Sequence, residues 1–267
     1  MLEHVLAEAA GRDVLDVGIG TGIAARQFES RGCRVLGVDV DARMADFARN
    51  CGFEVEVATF EDWDSRSRKF DLVIAGQTWH WVDPVGGAAK AAEVLGPDGR
   101  VAVFWNVDKP RTELAEAFAA VYERVRPDSI VARRWIEPSI VDGYSMLALN
   151  GYARIVEATV RGIEQCGGFN EPEELQFDWE QLYTKDEWLD LVPTTGDHSQ
   201  FSPEQLNELL TGLASAIDHM GGSFVVDYTT LLVSAATLTG GLNEGHAAPP
   251  TRGARGCWRS TARSSEG

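Results

Sequence analysis

One stretch near the start restricts this chain most: Val14-Leu15-Asp16-Val17-Gly18-Ile19-Gly20-Thr21-Gly22, an apolar run that passes straight into a turn with three glycines at alternate positions. Without a Cβ the backbone can bend sharply there and let a ligand come close, and a helix that follows offers unbonded N–H groups. A second apolar run, Arg34-Val35-Leu36-Gly37-Val38-Asp39, ends in an acid about 20 residues after the first glycine, where a carboxylate can accept from both hydroxyls of a ribose. Turn and acid together indicate an adenosine-containing cofactor.

The surrounding pattern supplies the fold that such a turn needs. Short β-branched runs at Asp13 to Val17, Arg34 to Val38, Glu54 to Ala58, Asp71 to Ala75 and Arg100 to Trp105 alternate with helical patterns. Leu2, Val5, Leu6 and Ala9 keep one helical face apolar, and Gly11 suits the left-handed position past that helix. Asp41 caps a helix that ends before Gly52; Asp83 and Pro84 open another, with Gly96 at its far end. A helix from Thr112 stops near Pro127, and the stretch after it, with Arg133, Arg134, Trp135, Gly167 and Gly168, reads as irregular. Leu175 to Tyr183 and Phe224 to Leu232 add strands, separated by helices that open on the capping boxes Thr184/Glu187 and Ser202/Gln205. The expected architecture is α/β: a Rossmann-like, doubly wound, mostly parallel seven-stranded sheet with helices on both faces. One domain is expected over residues 1–240, with a substrate-side insertion at about 107–169 after strand five. Residues 241–267, with little hydrophobic periodicity, are expected to form a disordered tail.

Composition narrows the partners. Lysine and arginine number 24 against 41 aspartates and glutamates, and the net charge of −17 opposes the phosphate neutralisation on which nucleic-acid binding rests. The cysteines Cys33, Cys51, Cys166 and Cys257 form no C-x-x-C pair, so neither a structural metal nor a disulfide framework is expected. Met1 to Ala10 lacks the basic and apolar segments of a secretory leader, and no apolar run reaches membrane-spanning length. A cytoplasmic protein with no nucleic-acid or membrane partner is expected, its oligomeric state open.

The identity of the cofactor turns on position 23. The dinucleotide fingerprint G-x-G-x-x-G would need glycine there, and the residue is Ile23, so the turn is G-x-G-x-G. From Asp13 to Asn106 the chain resembles the class I S-adenosylmethionine-dependent methyltransferases, within them the group called methyltransferase type 11. The resemblance is carried by Asp16 two residues before the first glycine, Val38-Asp39-Val40-Asp41, the acidic turn Thr59-Phe60-Glu61-Asp62, Lys69-Phe70-Asp71-Leu72-Val73, and the turn Leu95-Gly96-Pro97-Asp98-Gly99. The run Gln77-Thr78-Trp79-His80-Trp81-Val82-Asp83-Pro84 is similar to a narrower subgroup, small-molecule methyltransferases like trans-aconitate methyltransferase. The resemblance implies S-adenosylmethionine as cofactor. It also implies that Asp16 places the methionine end, Gly18, Gly20 and Gly22 form the floor, and Asp39 holds the ribose. Met44, Phe60 and Glu61 would surround the adenine, and Thr21, Val40 and Gln77 join the same binding set. Only twelve residues precede the first strand, where relatives carry a further segment over the cofactor, so weakened affinity is one expectation.

Methyl transfer is an in-line displacement that asks chiefly for alignment and exclusion of water. Trp79, His80 and Trp81 follow strand four, at the sheet edge where a small-molecule acceptor belongs. His80 is the expected catalytic histidine, as a positioning group or as the base for a hydroxyl or amine acceptor. Arg133 and Arg134 are the available partners for a carboxylic acid. Two other readings compete: a non-catalytic S-adenosylmethionine-binding subunit, and an NAD(P)-dependent reductase. Ile23 and the lack of a Tyr-x-x-x-Lys pair both speak against the reductase.

Overall fold

The structure, a computed structural model, describes residues 1–109, 111–128, 140–141, 144–194 and 198–238. Its main sheet has seven strands in the order β3-β2-β1-β4-β5-β9-β8. These are β1 (Asp13–Val17), β2 (Arg34–Asp39), β3 (Glu54–Val57), β4 (Phe70–Gly76), β5 (Leu95–Lys109), β8 (Glu173–Thr184) and β9 (Ser223–Ala236). Two strands of two residues each, β6 (Ile140–Val141) and β7 (Tyr144–Ser145), form a second sheet. Neighbours among β1 to β5 pair in parallel, whereas β9 is antiparallel to both β5 and β8. Strand β8 therefore runs with the first five, and the doubly wound sheet expected from the sequence is present.

Strand periodicity separates two cores. Leu15, Val17, Val73, Ala75, Val101 and Val103 point to one face, where Ala88, Ala91 and Val94 of α4 (Pro84–Val94) and Val156 and Ile163 of α6 (Met146–Cys166) cover them. Val14, Leu72, Ile74, Ala102 and Phe104 point to the other, against α1 (Leu2–Glu8), α2 (Ile23–Glu29) and α3 (Ala42–Asn50). Residues that alternate across a pleat serve both layers, which is why these strands read as continuous apolar runs. Apolar burial at about 25 cal/mol per Å² makes the two layers the main stabilising contribution.

A third cluster lies beyond them. Strand β4 stops at Gly76, opposite Phe104, while β5 continues to Lys109 with β9 as its partner. Strands β5, β9 and β8 thus overhang the carboxyl ends of β1 and β4. Beneath the overhang, α5 (Thr112–Val125), α7 (Lys185–Leu191) and α8 (Pro203–His219) gather around Phe118, Trp188, Leu213 and Phe224.

Three local expectations are corrected. Gly11 has no positive φ; a Cβ there would lie 2.2 Å from Asp71 Oδ2, the oxygen that accepts from Asp13 N at 2.9 Å. Its glycine allows close approach and makes no left-handed cap. Gly96 is no helix cap either, because α4 leads directly into extended backbone at Leu95, and it is Asp98 that takes the positive φ of 57°. The stretch read as irregular contains the 21-residue α6, whose buried Val156, Thr159 and Ile163 follow helical spacing. Gly151 and Gly162 interrupt that pattern in the sequence. Gly162 is required by packing, since a Cβ would fall 2.1 Å from the Pro84 carbonyl oxygen.

Candidate functional site

The glycine turn is tied to β2 by Gly18 N–H, which donates to the Val38 carbonyl at 2.7 Å. Gly18, Gly20 and Gly22 have φ of 70°, 56° and 80°, a region that costs side-chain-bearing residues about 1 kcal/mol or more. A Cβ on Gly18 would meet Thr78 at 2.6 Å and one on Gly22 would meet Phe53 at 2.6 Å, whereas one on Gly20 would have nothing nearer than the Gly18 carbonyl oxygen at 4.0 Å. Gly18 and Gly22 are thus set by packing, and Gly20 opens onto space. Thr78 Oγ1 donates to the Val17 carbonyl at 2.7 Å and holds the segment after β4 against the turn. Next to it Gln77 adopts a φ of 62°, donating its N–H to the Phe104 carbonyl at 2.9 Å and its Nε2 to the Asn106 carbonyl at 3.1 Å. Strain of this kind, persisting where neighbours over-determine it, marks ligand sites.

Two carboxylates face this turn. Asp39 Oδ2 accepts from Gly20 N at 2.8 Å and Oδ1 from Asp41 N at 2.8 Å, so the acid that ends β2 shapes the turn itself. Each carboxylate oxygen can accept a further bond. Asp16, at the end of β1, is 1% exposed and its Oδ2 has no hydrogen-bond partner. Burial, reinforced by the nearby Asp39 charge, pushes its pKa up to about 7, against a smaller lowering by a backbone hydrogen bond to Ala25. A buried carboxyl oxygen with no hydrogen-bond partner is costly unless one arrives.

The glycine turn and Asp16 border a cavity of about 860 Å³. Asp16, Gly18, Gly20, Thr21, Gln77 and Trp81 line one side. The strand overhang and the helices below it supply the other, including Asn106, Tyr122, Trp179, Tyr183, His198 and Tyr228.

The remaining expected site residues lie elsewhere. Asp39 reaches the cavity rim through Gly20, and Gly22 caps α2 beside Phe53. Val40 and Met44 stand on the surface, 70% and 41% exposed, and do not line the cavity. Phe60 and Trp79 are buried together in the core, ring centroids 6.0 Å apart, because the short 3₁₀ turn Trp79–Trp81 turns its first indole inward. Glu61 accepts from Asp83 N at 2.8 Å and so braces the start of α4. His80 is exposed, its ring 4.9 Å from that of Trp81, and partial burial keeps its pKa below the ordinary value. It lies outside the cavity lining, as does Trp79; of the three aromatic residues only Trp81 borders the cavity. Arg133 and Arg134 lie outside the described residues.

Sequence reasoning missed the aromatic side. Trp179 and Tyr183 share one face of β8 by their spacing of four, a signal present in Phe177-Asp178-Trp179-Glu180-Gln181-Leu182-Tyr183, but facing Tyr228 only through the β8/β9 register. Tyr122 and His198 meet at 2.8 Å from elements that are 76 residues apart, which no local pattern announces.

Residues 15–103 match the model of a methyltransferase domain. Over these residues the chain is similar to a methyltransferase domain. The match spans β1 to β5 as far as Val103, so it includes the glycine turn and Asp39 and ends before the overhang. An uncharacterized methyltransferase of Mycobacterium tuberculosis is 38% identical over 109 residues, 40% of this chain and 44% of that protein. The chain thus spans less than half the length of such curated relatives. A malonyl-[acyl-carrier protein] O-methyltransferase of Acetivibrio thermocellus is 25% identical over 205 residues, 74% of this chain and 69% of that protein. A demethylmenaquinone methyltransferase of Tropheryma whipplei is 29% identical over 175 residues, 61% and 69% of the two chains. Among solved structures, a protein of Anaeromyxobacter dehalogenans assigned as a type II methyltransferase aligns with a TM-score of 0.57 and 22% identity, covering 88% of this chain and 94% of that one. That likeness shows a shared Rossmann-like fold. Among the described residues no helix is long and apolar enough to cross a membrane.

Proposed function

We propose that this protein transfers a methyl group from S-adenosylmethionine to a small-molecule acceptor. The observation that carries this reading is the buried Asp16 carboxyl group, left without a partner on Oδ2 beside the open face of Gly20. The methionine end of S-adenosylmethionine bears an ammonium that suits this acid, and Asp39 offers its remaining lone pairs to the ribose. When bound, S-adenosylmethionine supplies a methyl carbon already activated by a sulfonium. The protein's own residues hold and orient the reactants and exclude water. The relatives named for malonyl-[acyl-carrier protein] and demethylmenaquinone support an acceptor other than nucleic acid, as does the net charge of −17.

Titration calorimetry with S-adenosylmethionine and with NAD tests the reading. Tight NAD binding with no heat from S-adenosylmethionine would overturn it. Asp39→Ala is expected to weaken the cofactor by about 1.5–3 kcal/mol, the scale of a charge-assisted hydrogen bond, and unchanged affinity in a folded variant removes Asp39 from the site.

His80 stands outside the cavity, so His80→Gln is expected to keep turnover within about twofold and to leave the pH profile unchanged. A lost base would reduce the rate by about 10²–10⁴-fold, and that result would return His80 to the chemistry.

A further inference from the structure

The carboxyl end of β5 carries a hydrogen-bond donor whose direction is fixed by its neighbours. Asn106 lies two residues beyond the point where β4 stops, directly opposite Thr230 of β9, and borders the cavity. Residues opposite each other in a strand pair share a face, so the two side chains meet. Thr230 Oγ1 accepts from Trp179 Nε1 at 2.9 Å and donates to Asn106 Oδ1 at 2.8 Å. Trp179 is itself held by stacking on Tyr228, with centroids 4.4 Å apart and planes inclined by 13°.

This chain of bonds runs one way. An indole N–H only donates, a hydroxyl has a single hydrogen, and an amide oxygen only accepts. With one lone pair of Thr230 taken by the indole, its hydrogen goes to Asn106 and requires the oxygen end of the amide there. A reversed amide would leave that hydrogen without an acceptor in a side chain 3% exposed. Nδ2, with two N–H donors, is therefore the end left on the cavity side. The Asn106 backbone carbonyl accepts from Gln77 Nε2 at 3.1 Å, so the strand end is braced from both neighbours.

A second donor belongs to the same lining. Trp188 is 7% exposed and meets Tyr183 edge-on at 5.1 Å, and among the described residues its Nε1 has no hydrogen-bond partner. A buried donor left unpaired is costly, and a ligand oxygen offsets that cost. Strand order puts β4 between Asn106 and the glycine turn at the end of β1, a distance of two strand spacings, about 10 Å. Asn106 thus stands away from the cofactor floor.

Resting on the methyltransferase reading, we infer that Asn106 is a specificity-determining residue whose Nδ2 receives a hydrogen-bond-accepting oxygen of the methyl acceptor, from a carbonyl or a carboxylate group. Trp179 is the positioning residue that fixes the amide through Thr230.

The test uses three probes with one phenyl ring each: acetophenone, benzoate, and α-methylstyrene, in which a methylene group replaces the ketone oxygen. Each is titrated into protein saturated with S-adenosylhomocysteine, whose own affinity is measured separately. NMR of asparagine-labelled protein follows binding, the Asn106 side-chain signals being those missing from Asn106→Leu. At least one oxygenated probe is expected to shift these signals, and its affinity relative to α-methylstyrene to fall at least fivefold in Asn106→Leu. Trp179→Phe keeps a ring against Tyr228 and removes only the N–H. There the same ratio is expected to fall at least threefold with α-methylstyrene affinity kept within twofold, whereas a purely structural Trp179 would move all probes alike. The oxygenated probe that depends more on Asn106 identifies the source as ketone or carboxylate. The inference is overturned if neither oxygenated probe binds, or if the ratio is unchanged in either variant while S-adenosylhomocysteine affinity, the control for folding, is kept. If S-adenosylhomocysteine fails to bind the wild type, the methyltransferase reading falls on that result, and the ratios measured without it still judge Asn106.

Discussion

Asp16→Asn is expected to stabilise the protein increasingly as pH rises and to remove its hold on S-adenosylmethionine. The carboxyl group is buried and its pKa stands at about 7 instead of its ordinary 3.8. Because the folded protein holds this proton more tightly than the unfolded chain does, the group favours folding below pH 3.8. That contribution is lost progressively as pH rises from 3.8 through about 7, and above pH 7 the loss is complete. At 1.36 kcal/mol per unit of pKa the penalty approaches about 4 kcal/mol. Asparagine never ionises. The stability difference between variant and wild type, from urea denaturation, should therefore grow by about 4 kcal/mol between pH 4 and pH 8, whatever the amide itself costs in that position. Binding moves in the opposite direction. The ionised carboxylate is the form that receives an ammonium, so wild-type affinity is expected to fall about tenfold per pH unit below 7. The variant should lose roughly a hundredfold at pH 8, the scale of a buried charged hydrogen bond, and show no such pH dependence. A folded Asp16→Asn protein that binds S-adenosylmethionine like the wild type would contradict the assignment, as would a stability difference that is flat with pH.

The second large effect separates two glycines that look equivalent in the sequence. Gly22→Val must place its Cβ where Phe53 already stands, at a φ of 80°, and Phe53 is 5% exposed and packed in the core beside α2 and α3. Left-handed strain of about 1–2 kcal/mol adds to overpacking of about 1–3 kcal/mol, giving an expected loss of about 3 kcal/mol in unfolding free energy. Gly20→Ala meets only the first of these terms, because its methyl group enters open space on the cavity side. It should lose about 1 kcal/mol of stability and yet weaken S-adenosylmethionine at least tenfold, by occupying the floor on which the ligand rests. Denaturation and calorimetry on the two variants distinguish the roles. Equal stability losses would show that Gly20, too, is set by packing, and a Gly20→Ala protein with full affinity would show that Gly20 does not form that floor.

The first hundred residues are readable because each signal there is local. Alternation along Val14 to Val17 and Val101 to Val103 reports two covered faces, and Asp41 and Asp83 do cap their helices through Arg43 N and Gly86 N. Both capping boxes in the second half are local in the same sense and are present in the structure. What escapes a reading of the sequence depends on partners distant in the chain. The length of β5 is set by β9, which begins at Ser223, and α6 is hidden by glycines, one of which has its reason in the Pro84 backbone. At the site the same division holds. Asp16, Gly18 and Gly20 stand at the end of one strand and border the cavity, whereas Trp79 is a core residue in a motif that reads as a site. The tryptophan pair reads as a wall because its sequence gives proximity to the sheet edge but not direction. One 3₁₀ turn suffices to send Trp79 inward and leave Trp81 83% exposed.

The place of β9 between β5 and β8 also bears on how the chain reaches this structure. Within the sheet β5 has β4 on one side, and the backbone along its other edge, from Arg100 to Lys109, pairs with β9. The pairing of Arg100 with Ala236 bridges more than half of the 267 residues, so this contact closes a long loop and forms late. Until then the centre of the sheet presents an unpaired backbone edge on a strand with apolar faces, of the kind that recruits other strands. The same event that seals this edge brings Tyr228 to Trp179. An immature chain is therefore most prone to associate with its neighbours during the interval in which the cavity lacks its aromatic side, and completion of the cavity and protection from aggregation are a single step.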